Sequence, residues 1–342
     1  MGMSFELLKE LTEAPGIPGR EEQIRAIVER ELKGIVEAVR VDAMGNLIAF
    51  RPGQARKPRK VMYSAHMDEI GFIVRFIDDN GFIRLNPVGG HDPRNCLIQQ
   101  VQVHGKEVLD GVMTTSTKPV HVQTEDDRKK ALAVDDLFID AGLSAKEIRK
   151  IVTPGDMVTL KRETTRIGKR VSGKSMDNRT AVYSLIQSLK KSGANRDDTY
   201  AVFTVQEEVG LRGAQTSGYG VAPDIAIALD TTLALDTPGI EARDQITQLG
   251  KGVGLTVMDG SVISDHALLK EFEALAGKKK IQFQHNILPR GGTDAGAIQR
   301  VREGVKVITI SLPTRYIHSS IEMIDWNDLA AKIDLLSAYM KG

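Results

Sequence analysis

Val61-Met62-Tyr63-Ser64-Ala65-His66-Met67-Asp68 begins as an apolar, strand-like run and stops on an imidazole, with a carboxylate two residues on. Four later stretches repeat the design. Arg170-Val171-Ser172 leads through Gly173 to Asp177; the run 200–205 ends at Glu207-Glu208; the run 225–229 ends at Asp230; and the run 305–311 enters a loop carrying His318. In open α/β sheets, ligands bind outside the carboxyl ends of the strands. Two imidazoles and several carboxylates meeting at one sheet edge form the ligand set of a two-metal hydrolase.

Around these runs the chain alternates helix and strand. Ser4 is placed to cap a helix through Thr12, Pro15-Gly16-Ile17-Pro18-Gly19 breaks it, and a second helix is expected over 21–33, with Ile24, Ile27, Val28 and Leu32 at near-helical spacing. Strands are expected at 39–41 and 47–50. Over 70–162 the texture changes to a mostly-β module: Phe72, Val74 and Phe76 alternate, Asp79-Asn80-Gly81 turns the chain, and a strand pair flanks His104-Gly105. One short helix in the module starts at Ser144, where Glu147 completes a capping box. After Gly173 the alternation resumes with a helix over 179–191, as expected for a largely parallel sheet. The catalytic unit is therefore expected to be discontinuous, 1–69 with 163–342, around an inserted 70–162 module.

Composition narrows the function. At 342 residues, 41% apolar and 27% charged, the chain reads as globular, and its net charge of +1 leaves no electrostatic footprint for nucleic acid or an anionic membrane. The densest basic patch, Arg56-Lys57-Pro58-Arg59-Lys60, reads as a solvated turn. A single cysteine, Cys96, excludes an intramolecular disulfide and a cysteine-built zinc site. No run reaches the ~18–20 apolar residues of a membrane span, and Met1-Gly2-Met3-Ser4-Phe5 does not open a secretory leader; a cytoplasmic location is the expectation. The Gly-rich pieces at 250–254 and 290–296 lack the Lys-Ser/Thr of a P-loop.

The charges themselves point to cations. Asp68, Asp177, Glu207, Glu208 and Asp230 at one edge would gather five carboxylates, and burying unpaired carboxylates costs several kcal/mol each. Two divalent ions offset that charge. Asp177 is assigned to bridge them, with His66 and Asp230 on one ion and Glu208 and His318 on the other; each then keeps an open position, as a catalytic site requires. Such a pair acidifies a shared water and polarises a carbonyl. Neighbouring side chains alternate on an extended backbone, so Glu208 is assigned to the metal and Glu207 to the proton as general acid/base. Asp68 is expected to accept the second N–H of His66. His91, His104, His121, His266 and His285 read as surface or structural histidines.

At these residues the chain resembles the tetrahedral aminopeptidases and their glutamyl-aminopeptidase relatives, exopeptidases with a dinuclear cobalt or zinc site. The matching stretches are Ser64-Ala65-His66-Met67-Asp68-Glu69-Ile70-Gly71-Phe72, Lys174-Ser175-Met176-Asp177-Asn178-Arg179, Val205-Gln206-Glu207-Glu208-Val209-Gly210-Leu211-Arg212-Gly213-Ala214, Asp236-Thr237-Pro238-Gly239, Gly291-Gly292-Thr293-Asp294-Ala295-Gly296 and Arg315-Tyr316-Ile317-His318-Ser319. They stand in family order over nearly the whole chain. The resemblance implies a three-layer α/β/α catalytic domain with a mostly parallel central sheet and an inserted β-barrel-like dimerisation domain. It puts the bridging role on Asp177, the base/acid role on Glu207 and ligation on His66, Glu208, Asp230 and His318. It also implies self-assembly, often into a hollow dodecamer of six dimers. Asn178 departs from the pattern, standing where many relatives carry a second Asp.

The expected activity is release of residues from the free amino ends of short peptides, with two Zn²⁺ or Co²⁺ ions per subunit. A related dinuclear deacylase or carboxypeptidase is the competing enzyme, because Arg212, Arg290 and Arg315 offer partners for a substrate carboxylate. A catalytically silent assembly subunit is the competing non-enzyme.

Overall fold

The strands Lys60–His66, Asp198–Thr204, Ile225–Leu233 and Lys306–Arg315 are buried along almost their whole lengths, the mark of strands covered on both faces. In this computed structural model, which describes residues 3–342, they pair in parallel in the order 198–204, 60–66, 225–233, 306–315. Met1 and Gly2, part of the stretch read above for a leader, lie outside the described residues. Antiparallel strands widen the sheet on both sides. Leu47–Arg51 and Ala38–Val41 flank one edge, and Glu322–Asp325, Arg170–Gly173 and Thr165–Ile167 the other. Val253–Met258, with Phe283–Ile287 beside it, joins Lys306–Arg315 to complete eleven strands. The parallel character is thus held by the four central strands. Arg170–Gly173 lies two antiparallel pairings from Lys306–Arg315, so it points the same way as those four. All five strands of the opening pattern end towards one edge.

Side-chain alternation along the central strands builds two cores. Tyr63, Phe203, Leu229 and Ile310 face a layer formed by helices Phe5–Glu13, Glu22–Leu32, Met176–Ser192, His266–Lys279 and Trp326–Lys341. Met62, Val202, Ala228 and Val307 face helices Arg212–Val221 and Asp294–Ile298. The result is an α/β/α sandwich. Ser4 caps the first helix by accepting from the Leu7 N–H at 3.2 Å. The helix expected over 179–191 begins earlier, at Met176, and Asp177 and Asn178 leave helical geometry within it.

Between Gly71 and Leu160 the chain forms a closed six-stranded barrel, in the order Gly71–Ile77, Ile83–Val88, Leu137–Asp140, Val108–Thr115, Gln99–His104, Met157–Leu160. Phe72, Val74, Leu85, Val101, Val103, Met113, Ile139 and Val158 fill it. Closure leaves no unpaired sheet edge. The Ser144–Glu147 capping box forms as read, Ser144 Oγ accepting from the Glu147 N–H and Glu147 Oε2 accepting from the Ser144 N–H. Among the described residues no helix is long and apolar enough to cross a membrane.

Candidate metal centre

His66 is the last residue of its strand and is 2% exposed. Asp177 follows Ser175, which has φ +57°, and His318 has φ +62°; both loops leave regular structure to turn a side chain inward. Glu207 and Glu208 lie just beyond Asp198–Thr204. Asp230 does not end its strand, which runs on to Leu233; the parallel neighbour Lys306–Arg315 pairs with it past this point, Asp230 opposite Ser311.

These residues converge. His66 Nε2 lies 3.4 Å from Asp177 Oδ1, 3.8 Å from Asp230 Oδ1 and 3.9 Å from Glu207 Oε2. His318 Nε2 lies 3.3 Å from Glu208 Oε1 and 3.7 Å from Asp177 Oδ2. Two donors each ~2.0–2.2 Å from a tetrahedral ion stand about 3.3–3.5 Å apart, so the spacings suit shared cations. Donor atoms of His66, Asp177 and Glu208 lie within 4.8 Å of one another, as do those of His66, Glu207 and Asp230. Glu207, assigned to the proton, therefore stands almost as close to His66 as Asp230 does.

The electrostatics ask for positive charge. Burial pushes Glu207 and Asp230 well above the carboxylate range, with neighbouring carboxylates adding to the effect. Burial pulls the His318 imidazole down, but its bond to Glu208 and the nearby Asp177 outweigh this and hold it at about 10. Asp177 Oδ1 is buried with no hydrogen-bond partner. An unpartnered carboxylate oxygen between two imidazoles fits a cation, and the donor set of nitrogen and oxygen suits a borderline or hard divalent ion.

Asp68 is placed otherwise than expected. Its two oxygens accept the N–H groups of Glu207 and Glu208 at 3.1 and 3.0 Å. His66 Nδ1 instead meets the Asp68 backbone carbonyl at 3.1 Å, the carboxylate standing at 3.6 Å. The turn offers two successive amide donors, and they take both carboxylate oxygens.

Further residues of the centre left no mark in the sequence. Glu322, 2% exposed, accepts the Asp177 N–H at 2.9 Å and the His318 N–H at 2.8 Å, tying these two segments together. Burial, with Asp177 nearby, pushes its carboxyl to about 8. Lys332 is fully buried and donates to the Asp230 carbonyl at 2.8 Å; burial lowers its amine to about 7. Asn178 donates from Nδ2 to the Leu229 carbonyl at 2.9 Å, a bond an ionised Asp there would not make. The other five histidines, His91, His104, His121, His266 and His285, are outside the clustered donors: His91 stacks on Phe72, His104 bonds Thr159, and His285 pairs with Glu273.

His66, Asp177, Glu207, Glu208, Asp230 and His318 open into a cavity of 630 Å³, walled by Leu211, Leu233, Leu288 and Ile317, with Arg290 and Gly291 also lining it. Of the three arginines suggested for a substrate carboxylate, Arg315 is neutralised by two bonds to Asp236, at 2.6 and 2.9 Å. Gly213, below the Glu207 turn in sequence, allows close packing: a Cβ there would stand 2.3 Å from Asn46 Oδ1 and 2.4 Å from the Val205 carbonyl oxygen. Gly213→Ala is expected to lower stability by about 1–3 kcal/mol, read from the urea midpoint; an unchanged midpoint would refute the close contact.

Comparison with known proteins places this architecture. The profile of the M42 glutamyl aminopeptidase family matches residues 45–335, and a second profile, AMPT, matches residues 4–27. An aminopeptidase from the archaeon Desulfurococcus kamchatkensis superposes with a TM-score of 0.94 at 36% identity, over 98% of this chain and 94% of that one. The Pyrococcus horikoshii TET1 peptidase, which can assemble into a tetrahedron or a large octahedral shell, superposes with a TM-score of 0.86 at 34% identity, over 98% of each chain. The lysyl aminopeptidase of Pyrococcus furiosus is 33% identical over 348 residues, covering 99% of this chain and 97% of its own length.

Proposed function

The chain belongs to the M42 glutamyl aminopeptidase family, and we propose that it is a dinuclear metal-dependent aminopeptidase that removes residues from the free amino ends of short peptides. The observation that carries this reading is the convergence of His66, Asp177, Glu208, Asp230 and His318 at the mouth of one cavity, with the Glu207 carboxylate alongside. Asp177 would bridge, His66 and Asp230 would complete one position, and Glu208 and His318 the other. Two Zn²⁺ or Co²⁺ ions would supply carbonyl polarisation and an acidified water. Glu207 would take a proton from that water and return it to the leaving amine. Asp68 would hold Glu207 and Glu208 by their backbones, and the apolar walls would receive the substrate's first side chain and exclude water.

The same reading places the protein in the cytoplasm and has it self-associate through the 70–162 module, as dimers and then a tetrahedral dodecamer. Phe76, Val108 and Val112 are apolar residues exposed on the barrel strands, and the TET1 peptidase can assemble into a tetrahedron or a large octahedral shell. Light scattering of the purified protein tests this: a monomer at micromolar concentration would exclude it. Arg290 beside the cavity leaves a deacylase or carboxypeptidase as the second reading.

The deciding experiment supplies Zn²⁺ or Co²⁺ and a pool of short peptides, half of them acetylated at the amino end, and follows products by mass spectrometry. Stepwise loss from free amino ends only is expected. Cleavage of acetylated peptides, or loss from the carboxyl end, would transfer the claim to the second reading. Cation removal has its own expected outcome: chelation abolishes turnover and lowers the unfolding temperature, and added cation restores both. A site held at ~1,000 times its Kd contributes about 4 kcal/mol. Turnover that survives complete chelation, checked by metal analysis, would refute the metal dependence.

A further inference from the structure

The break Pro15-Gly16-Ile17-Pro18-Gly19 leads to Glu21, and Glu21 reaches the turn that carries Glu207. Four successive backbone N–H groups of that turn donate to side chains from three separate parts of the chain. Val205 donates to Asn46 Oδ1 at 3.0 Å, Gln206 to Glu21 Oε1 at 3.1 Å, Glu207 to Asp68 Oδ1 at 3.1 Å and Glu208 to Asp68 Oδ2 at 3.0 Å. Gln206 has φ +56°, a conformation a residue with a Cβ holds only when its surroundings enforce it.

The segment bearing Glu21 is itself held. Arg179, fully buried, donates to the carbonyls of Leu11, Ala14 and Gly16 at 2.7, 2.8 and 3.2 Å. Glu69 donates its N–H to the Gly16 carbonyl at 2.9 Å, and Gly16 donates back to Glu69 Oε1 at 3.2 Å. A Cβ on Gly16 would stand 2.4 Å from Ile24 Cδ1, so the segment packs closely against the second helix. Glu21 is 3% exposed and also accepts the Gly19 N–H at 2.8 Å. The segment therefore links the loop after His66 to the turn before Glu207.

We propose that Glu21 is a positioning residue of this enzyme, holding the Gln206 N–H so that the Glu207 carboxylate is aimed at the proton it moves. The proposal rests on the aminopeptidase reading above. Glu21 holds the peptide before Gln206, and the left-handed backbone of Gln206 sets the direction in which Glu207 leaves the turn. Asp68 bonds the N–H groups of Glu207 and Glu208 alike, but only Glu208 is also held through its side chain, 3.3 Å from His318, so a shift at Gln206 moves the Glu207 carboxylate more. Loss of Glu21 therefore weakens proton transfer more than cation ligation.

The test compares the full-length, cation-loaded wild type with Glu21→Ala and Glu21→Gln. For Glu21→Ala, kcat should fall about 10–100-fold, the scale on which small misplacements act, with KM and bound cation close to wild type. Hydrogen exchange over 206–211 should speed up. Glu21→Gln keeps an oxygen acceptor and should restore kcat and protection. Wild-type kcat in a Glu21→Ala protein whose turn exchanges faster would overturn the proposal. So would equal losses in both variants, or loss of cation in step with kcat. Should the Ala variant not fold, slow wild-type exchange at the Gln206 amide is still required, and exchange as fast as an open loop would overturn it. A wild type inactive on every peptide would defeat the aminopeptidase reading instead, which the exchange data distinguish.

Discussion

Glu207→Gln is expected to lower kcat by about 10²–10⁴, the usual contribution of a positioned acid/base group, or about 3–5.5 kcal/mol of barrier. Glutamine keeps the shape and the backbone bond to Asp68 but has no basic oxygen to take a proton. Burial raises the Glu207 carboxyl, His66 opposes this and the neighbouring carboxylates add to it, so positive charge bound nearby would favour its ionised form. The same variant separates two roles. Glu207 Oε2 stands 3.9 Å from His66 Nε2 and groups with Asp230, a position from which it could ligate. A proton-transfer role predicts lost turnover with two cations still bound per subunit; a ligand role predicts that one cation is lost with the activity. A variant that keeps most of its turnover would remove Glu207 from the reaction.

Arg179→Met is expected to cost about 3–5 kcal/mol of stability, the range for deleting one partner of a buried charged group. The guanidinium is fully buried and stands 3.6 Å from Glu69. It is also the donor for three backbone carbonyls of the 11–16 segment. Met fills part of the volume but leaves those carbonyls without partners. Lys174 still bonds Glu69 at 2.6 and 2.8 Å, so the carboxylate is not stranded and the loss falls on the segment. Chemical denaturation with metal held constant measures it; a loss under ~1 kcal/mol would show that water replaces the guanidinium.

The central sheet could be read from the chain because its strands are near-continuous apolar runs, and a run that stops on a ligand-type residue also marks its direction. His66, Asp177, Glu207, Glu208, Asp230 and His318 could be named for the same reason, and the structure brings them together. The i+2 spacing pairs Asp68 with His66, yet its carboxylate bonds the Glu207 turn, because strand alternation does not describe a turn 139 residues away. Glu322 and Lys332 escape a reading of the sequence for a related reason. Each acts on the backbone of another element, and a side chain bonding a distant N–H or carbonyl leaves no periodicity. Two of the antiparallel flanking strands are equally silent, since Thr165–Ile167 and Glu322–Asp325 are only three and four residues long, whereas those at 38–41 and 47–51 are legible.

The barrel interrupts the α/β/α sandwich, and this sets an order of events during synthesis. Its strands all lie between Gly71 and Leu160, so its contacts close within one continuous stretch of nascent chain. Strand Lys60–His66 emerges first but pairs only with Asp198–Thr204 and Ile225–Leu233. It must therefore wait, apolar and unpaired, while the whole insert is made. Such long-range pairings form late and expose sticky surface in the meantime. A chain halted after Leu160 can carry a closed barrel but none of the centre beyond His66 and Asp68. Cation uptake then marks a polypeptide whose translation has run to His318.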